Sequence, residues 1–369
     1  MKAPQGIGSL IRALPEGYEQ ACFETGAIQR KRDIKSPDDL MMLNMFHLMT
    51  GCSLVEISEV SKILNIGKIS DVGFMKRFRN CNEWFKWIID KTISGGLITY
   101  KKSEKLKDYR ILAVDASDVS EKGRSGRIYR LHFALDIMKM EAVMYNITTR
   151  QTGEKLSNFD LKKDDLIIAD RGYGTTTGIE YCNERNVQFV IRVNANNIRF
   201  CDKDGRVFDI RDKVIGIENG EQDVYVKTQN GNIIPVRICF KKKNEKSIEK
   251  TRKKLHRQQS KNQYKLSDKT KLFHEYIVIV TSLDKNRAAS EEILELYRLR
   301  WQIELYFKRL KSILDYGELP KKKEENIFAW LNGKLMIALL LEKIISKTVF
   351  SPEAETESYD EYLERTEIF

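Results

Sequence analysis

Acidic and basic side chains recur at helical spacing in one stretch near the carboxyl end of the chain, residues 297–311 (YRLRWQIELYFKRLK). The stretch has no Pro or Gly and is rich in strong helix formers, so we expect a helix. At about 100° per residue, an apolar face adjoins a strip of polar residues. On this helix alone, two surface salt bridges are the simpler interpretation. The alternative is a metal-binding carboxylate beside phosphate-binding cations. The strip carries Tyr297, Arg300, Glu304, Lys308 and Lys311.

Two short apolar runs elsewhere in the chain each end in an acid. Residues 111–114 (ILAV) lead to Asp115, and residues 166–169 (LIIA) lead to Asp170. Such runs are typical of buried strands, and functional side chains collect at strand ends. Each acid could instead form a turn. The neighbouring acids that compete for the same role are Asp118, Asp136, Asp164 and Asp165.

Two strand-end acids and one helix-borne acid can meet at a single point. Three carboxylates at one point repel each other and need divalent cations to stay ionised. Ligand sets made only of oxygen suit Mg²⁺ or Mn²⁺ rather than Zn²⁺. Two such ions support phosphodiester cleavage, and nearby Arg and Lys side chains would hold the phosphates.

The elements that must position these acids follow from the hydrophobic periodicity. The chain is predicted to be an α/β protein with a mixed sheet of the RNase H kind, flanked by helices. A possible helix-turn-helix around residues 65–67 either binds DNA or only packs against its neighbours. The predicted parts are a helical N-terminal domain (1–105), the first part of the catalytic core (106–194), a β-rich insertion with a basic, partly mobile segment (195–275), the second part of the core (276–350) and an acidic tail (351–369).

The composition narrows the class of protein. The 369 residues are 41% hydrophobic and 32% charged, with a formal net charge of +11, which favours a polyanionic partner such as nucleic acid. No apolar run approaches the ~20 residues of a membrane span, and no signal peptide is evident, so we expect a cytoplasmic, nucleoid-associated protein. Six scattered cysteines without a CxxC motif give no sign of a disulfide framework or zinc ribbon.

Three sequence blocks together resemble a DDE-type transposase of the insertion-sequence-four group of bacterial mobile elements. The third block of that group has Tyr, Arg, Glu and Lys separated by two, three and six residues, as in 297–311. The second block resembles residues 169–174 (ADRGYG), and the first resembles residues 112–117 (LAVDAS). The turn at Thr152-Gly153-Glu154 is also similar to the family. The resemblance covers residues 35–345.

This resemblance implies a catalytic triad of Asp115, Asp170 and Glu304 that binds two Mg²⁺ ions, which Mn²⁺ can replace. The implied activity is cleavage of double-stranded DNA at terminal inverted repeats and transfer of the 3′-OH ends to target DNA, by a homodimer that pairs the two ends. An inactive DNA-binding descendant and a related endonuclease are the alternatives. The large apolar side chains of Trp301 and Leu305 point away from the apolar helix face, so they should meet DNA or the insertion. The predicted DNA contacts are Tyr297, Arg300, Lys311, Arg171, Tyr173, Trp301 and Lys308.

Overall fold

The computed structural model of the chain describes residues 5–93, 104–121, 128–263, 265–314, 318–319 and 324–349. The predicted acidic tail lies outside these residues. The strands are β1 (Arg110–Glu121), β2 (Ile128–Asp136), β3 (Glu141–Thr149), β4 (Asp165–Ala169), β5 (Gln188–Arg192), β6 (Phe200–Cys201), β7 (Asn219–Lys227), β8 (Ile233–Lys242), β9 (Tyr276–Thr281) and β10 (Glu318–Leu319). The helices are α1 (Gln5–Arg12), α2 (Tyr18–Glu24), α3 (Pro37–Thr50), α4 (Leu54–Ile63), α5 (Asp71–Asn80), α6 (Asn82–Ile93), α7 (Thr176–Glu184), α8 (Arg211–Val214), α9 (Glu245–Asn262), α10 (Asp268–Phe273), α11 (Ser290–Arg298), α12 (Trp301–Leu314) and α13 (Glu324–Val349).

A mixed sheet of ten strands forms the centre of the described structure. Its order is β3-β2-β1-β4-β5-β9-β8-β7-β6, and β10 pairs with β1. Strands β1, β2 and β3 form an antiparallel meander, whereas β1, β4 and β5 run parallel. Every residue of β4 is buried, as its continuous apolar run predicts. The predicted mixed α/β sheet with flanking helices is therefore confirmed.

The strands predicted as an insertion continue the central sheet instead of forming a sheet of their own. Strand β9 pairs antiparallel with β5 on one side and with β8 on the other, and β7 and β6 follow. The basic run predicted as partly mobile is mostly helical, since α9 and α10 occupy much of it. Asn244 and Ser267 cap these helices by accepting hydrogen bonds from the first turn, as polar N-cap residues do. The domain bounds themselves stay a prediction.

The amino-terminal helices begin where the sequence indicates. Ser36, Ser53 and Ser70 are the N-caps of α3, α4 and α5, and Ser53 forms a capping box with Glu56. Helices α4 and α5 are separate and packed together, as the predicted helix pair requires. Its role in DNA binding stays a prediction.

Two hydrophobic clusters lie on the two faces of the sheet, because alternate residues of a strand point to opposite faces. In β1, Ile111 and Ala113 belong to the cluster that also contains α3, α6, α12 and α13. Leu112 and Val114 belong to the other cluster, with residues of α7 and of β6 to β9. Strand β1 is thus held between two cores, which fixes the position of the residue after Val114.

Candidate active site

Asp115 lies in the middle of the sheet. The sequence predicts that strand β1 ends at Asp115. The strand instead continues to Glu121, because its pairing with β2 extends through Ser120. The Asp115 side chain is 20% exposed, and its Oδ1 accepts a hydrogen bond of 2.8 Å from the backbone N–H of Ala116. Burial raises the pKa of Asp115 to about 6, and the nearby charges of Glu154 and Asp170 add to this effect. The surroundings of Asp115 therefore disfavour the charged form of its carboxyl group.

Asp170 lies beside Asp115 because of strand register. Val114 of β1 is paired with Ala169 of β4 in a parallel ladder, so the two acids are the next residues of neighbouring strands. Asp170 follows the end of β4, as predicted. Burial alone would raise the pKa of Asp170, but the backbone N–H of Arg171 and the surrounding arginine charges lower it below its ordinary value.

Helices α11 and α12 and the two residues between them supply the third acid and two side chains that lie beside the first two acids. The hydroxyl of Tyr297 donates a 3.1 Å hydrogen bond to Oδ1 of Asp170. The guanidinium of Arg300 pairs with Glu304 and lies 3.8 Å from Oδ2 of Asp115. Arg300 therefore connects the first and third acids, and Tyr297 contacts the second. The structure thus collects all three predicted catalytic acids around these two side chains.

The helix predicted over 297–311 is interrupted in the middle of this group. Helix α11 ends at Arg298 and α12 begins at Trp301. Backbone N–H groups of Leu299 and Arg300 bond to carbonyls three residues earlier, the tighter 3₁₀ pattern. No Gly or Pro marks the break, so tertiary contacts override the local helical preference. The residues predicted on the apolar face are buried, namely Ile293, Leu296, Leu299, Ile303, Phe307 and Leu310.

Three of the four competing acids have structural partners. Asp118 pairs with Arg130 at 2.7 Å, and Asp165 pairs with Arg110 at 2.7 Å. Asp136 accepts backbone hydrogen bonds in the turn after β2. Only Asp115 and Asp170, among the strand acids, lie beside Arg300 or Tyr297 in the described chain. The choice of Asp115 over Asp118, which the sequence left open, is therefore favoured by these contacts.

Glu154 is a further acid near the site, and the sequence identified it only as part of a turn. Its charge acts on Asp115 and on Tyr173. A Cβ atom added to Gly172 would lie 2.2 Å from Oε2 of Glu154, so this carboxylate rests directly against the loop after β4. The one signal in the sequence was its position in the Thr152-Gly153-Glu154 turn.

The predicted DNA-contact residues fall into two groups in the structure. Tyr173 is 1% exposed and packs against Phe159, so its ring lies in the core, and its predicted contact with DNA stays a prediction. Trp301 is 47% exposed, as expected for a DNA contact. Lys308 and Lys311 are exposed and line an open groove of about 530 Å³ with Glu304.

A second group of cations surrounds a separate cavity of about 260 Å³. Arg171, Arg192 and Arg211 line it, together with His274. Burial, together with the charges of Arg192 and Arg171, lowers the pKa of Lys243 to about 8. Burial also lowers the pKa of His274 to about 4. The loop that follows Asp170 therefore has a strongly positive environment.

The donor chemistry of the site fits a hard divalent cation. Asp115, Asp170 and Glu304 offer only carboxylate oxygens, the ligands that Mg²⁺ prefers. The buried hydroxyl of Tyr173 has no hydrogen-bond partner among the described residues, although it lies near Asp115 and Asp170. Within those residues, no three Asp, Glu, His or Cys side chains are close enough to hold a metal ion as they stand. The acids would therefore have to draw together around an ion.

Comparison with known proteins gives one family match. Residues 106–341 match the family described as Transposase DDE domain. This segment contains all three acids, Tyr297 and Arg300. No helix in the described parts of the chain has the length and apolar character needed to cross a membrane.

Individual transposases are similar over nearly the whole chain. The putative transposase InsL for insertion sequence element IS186A of Escherichia coli (strain K12) is 28% identical over 92% of this chain and 93% of its own length. The transposase for insertion sequence element IS421 of Escherichia coli is 28% identical with the same coverage. The transposase for insertion sequence element IS231C of Bacillus thuringiensis subsp. berliner is 23% identical over 91% of this chain and 77% of its own length.

Proposed function

Because the chain belongs to the Transposase DDE domain family, we propose that it is the transposase of a bacterial insertion sequence, which cleaves DNA at the element ends and joins them to target DNA. The likeness to the IS186A and IS421 transposases confirms the resemblance to the insertion-sequence-four group, and the family match confirms the RNase H-like core. One observation carries the proposed mechanism. The register of β1 and β4 sets Asp115 beside Asp170, and Arg300 links Asp115 to Glu304.

The proposed metal ligands are Asp115, Asp170 and Glu304, with Mg²⁺ as the physiological ion and Mn²⁺ as a substitute. Bound there, the ions would activate an attacking oxygen and stabilise the negative charge of the leaving oxygen in phosphodiester cleavage. The carboxylates must be ionised to bind them, and burial opposes this at Asp115. Two bound cations would favour the ionised form of Asp115. The charged carboxylate would therefore be stable only when the metal site is occupied.

The other residues of the site orient the acids and hold the DNA. Tyr297 fixes one oxygen of Asp170 through its hydroxyl, which sets the direction of that carboxylate. Arg300 positions Glu304 and also lies close enough to a bound phosphate group to offset its charge. The exposed side chains of Lys308 and Lys311 bind backbone phosphates in the groove beside Glu304, and Trp301 contacts the DNA from the same helix.

The proposed partners are double-stranded DNA with terminal inverted repeats, the target DNA and a second copy of the chain. The net charge of +11 supports a polyanionic partner. Joining of two ends to one target requires two active sites, which supports a homodimer in the complex that pairs the ends.

The experiment that tests this function uses a labelled duplex carrying the inverted repeats that flank the gene. Purified protein is incubated with this duplex, a target plasmid, and Mg²⁺ or Mn²⁺, with Glu304→Gln as the inactive control. We expect cleavage at the repeat ends and joined products for the unmodified protein only. Cleavage without joining would indicate an endonuclease. Specific binding without cleavage in either metal would indicate an inactive DNA-binding descendant.

A further inference from the structure

Helix α9 presents a continuous positive face to the surroundings. The helix is packed onto the protein through Ile248 and Leu255, which are 1% and 8% exposed. At about 100° per residue, six cations fall within roughly 100° of arc opposite these two residues. Neither acid of the helix, Glu245 or Glu249, falls in that arc. The face, called here the α9 cationic face, consists of Lys246, Lys250, Lys253, Lys254, Arg257 and Lys261.

The six side chains have no structural task that the described residues reveal. All six are exposed, and none forms an ion pair with another described residue. Arg252 of the same helix lies outside the arc and behaves differently, since it pairs with the buried Glu275 at 2.6 Å. Cations three and four residues apart on a helix repel each other. The face therefore lowers the stability of its own helix, and an external polyanion would relieve that repulsion.

The dimensions and position of the face indicate duplex DNA. From Lys246 to Lys261 the helix rises about 22 Å, and duplex DNA carries one charge per ~1.7 Å of its axis. No apolar side chain lies in the arc, whereas a helix that lies on a membrane needs an apolar face as well. The inner side of α9 contributes Leu255 to the cavity lined by Arg171, which follows Asp170 directly. Helix α9 therefore lies beside the residue that follows the second acid.

We propose that the α9 cationic face docks the sugar-phosphate backbone of the element-end duplex beside the bond that is cleaved. The inference rests on the proposed transposase function and adds a docking surface that is separate from the acids and their helices. Contacts of this kind are independent of sequence, so they position the duplex and do not select it. Their loss should weaken DNA binding without changing the chemical step.

The test compares two double variants with the same change in charge. Lys250→Gln with Arg257→Gln removes two cations of the face, and Gln keeps the helical propensity. The control, Lys162→Gln with Lys163→Gln, removes two exposed cations just before β4, at the end of that strand opposite Asp170. Affinity for the element-end duplex is measured over a series of salt concentrations, and thermal unfolding checks that both variants fold.

Two phosphate contacts contribute about 1.8 to the slope of log affinity against log salt, since each contributes about 0.9. We expect the α9 variant to flatten the slope by that amount and to lose tenfold or more in affinity. Its cleavage rate at saturating DNA should equal that of the unmodified protein. The control should keep its slope. An equal change in slope and affinity in both variants would indicate a general effect of net charge. That result would contradict the proposed docking surface.

A crosslinking arm identifies which DNA is docked. A photoreactive group on Lys254→Cys, in a Cys52→Ser background because the other cysteines are buried, should label the end duplex within about ten base pairs of the cut. Labelling only of target DNA would overturn the assignment to the element end. Failure of the unmodified protein to cleave would instead count against the proposed function, so the two failures are distinguishable.

Discussion

In the metal-free protein, the fold disfavours the charged form of the Asp115 carboxyl group. Burial raises its pKa to about 6, so the folded protein keeps a proton that the unfolded chain releases near pH 4. Between these pH values the folded state binds more protons, and the free energy of unfolding falls as pH rises. At pH 7 the metal-free protein therefore loses about 3 kcal/mol of stability at this one residue.

Replacement of Asp115 by Asn should stabilise the metal-free protein at pH 7, because Asn carries no charge to bury. The gain should shrink toward zero at about pH 3, below both pKa values, where Asp115 is protonated in the folded and the unfolded chain. Urea unfolding with a chelator at the two pH values measures both effects. Asp118→Asn is the matched control, and it should show no gain because Asp118 is paired with Arg130. A variant that is less stable than the unmodified protein at pH 7 would contradict the argument.

We expect Tyr297 to affect catalysis through its hydrogen bond to Asp170. Removal of its hydroxyl in Tyr297→Phe deletes the 3.1 Å hydrogen bond and keeps the buried ring. Loss of a residue that orients a metal ligand typically costs 10–100-fold in activity or metal affinity. We expect cleavage to fall by that factor and half-maximal activity to need more Mg²⁺.

The control for this variant is Tyr181→Phe, which removes a 2.7 Å hydrogen bond to the carbonyl of Phe159. It should leave the Mg²⁺ requirement of cleavage unchanged. If cleavage by the Tyr297→Phe variant and by the unmodified protein depended on Mg²⁺ concentration in the same way, the proposed positioning role of Tyr297 would be ruled out.

The sequence predicts the types of the site residues better than their surroundings. The three acids and Arg300 follow from spacing and resemblance, because such patterns are local in the chain. Glu154 and the burial of Tyr173 depend on how the loop after β4 folds over the site, which no local pattern records. Choosing Asp115 over Asp118 likewise needed the partner Arg130, which lies on the neighbouring strand.

At the scale of elements, the loop after β4 fixes Asp170 through close backbone contact. A Cβ atom on Gly174 would lie 2.6 Å from the carbonyl oxygen of Arg192. A Cβ atom on Gly172 would lie 2.2 Å from Oε2 of Glu154, but that atom ends a flexible side chain. The two glycines therefore differ in what a methyl group would displace.

Gly174→Ala should force the loop away from β5, with a loss of stability of about 1–3 kcal/mol and a larger loss of cleavage. Gly172→Ala should cost less stability, since Glu154 can rotate aside. Urea unfolding and the cleavage assay on both variants test this difference. Equal stability of the two variants would mean that the loop yields as easily as a side chain, and the rigid-loop argument would fail.

Three parts of the chain show what local periodicity can and cannot predict. The apolar run of β4 is unambiguous because both faces of that strand are buried. The interruption between α11 and α12 has no sequence signal, since it arises from contacts of Tyr297 and Arg300 with distant acids. The high charge density of the basic run predicts a partly mobile segment. Burial of Ile248 and Leu255 is nevertheless enough to pack α9 against the rest of the protein.

At the scale of the molecule, the amino-terminal helices share one core with the catalytic sheet. A single hydrophobic cluster runs from Ile7 to Leu340 and includes residues of α3, α6 and β1. Helix α13 packs against α6 more extensively than against any other described element. A Cβ atom on Gly333 of α13 would lie 2.5 Å from Leu48 and 3.1 Å from Phe85, so the helices approach closely. The sequence predicted an amino-terminal domain but gave no sign of this shared core.

Separation of the amino-terminal helices from the rest should therefore disrupt folding of both parts. A fragment of residues 104–369 would expose the buried faces of α13, where Leu331, Leu335 and Met336 are fully buried in the intact chain. Exposed apolar surface of this extent promotes aggregation, because burial of such residues contributes about 1.5–3 kcal/mol each. We expect the fragment to lack a cooperative thermal transition and to bind a hydrophobic dye, whereas the full chain unfolds cooperatively. A fragment that unfolds cooperatively at a melting temperature near that of the full chain would show instead that residues 1–93 form an independent domain.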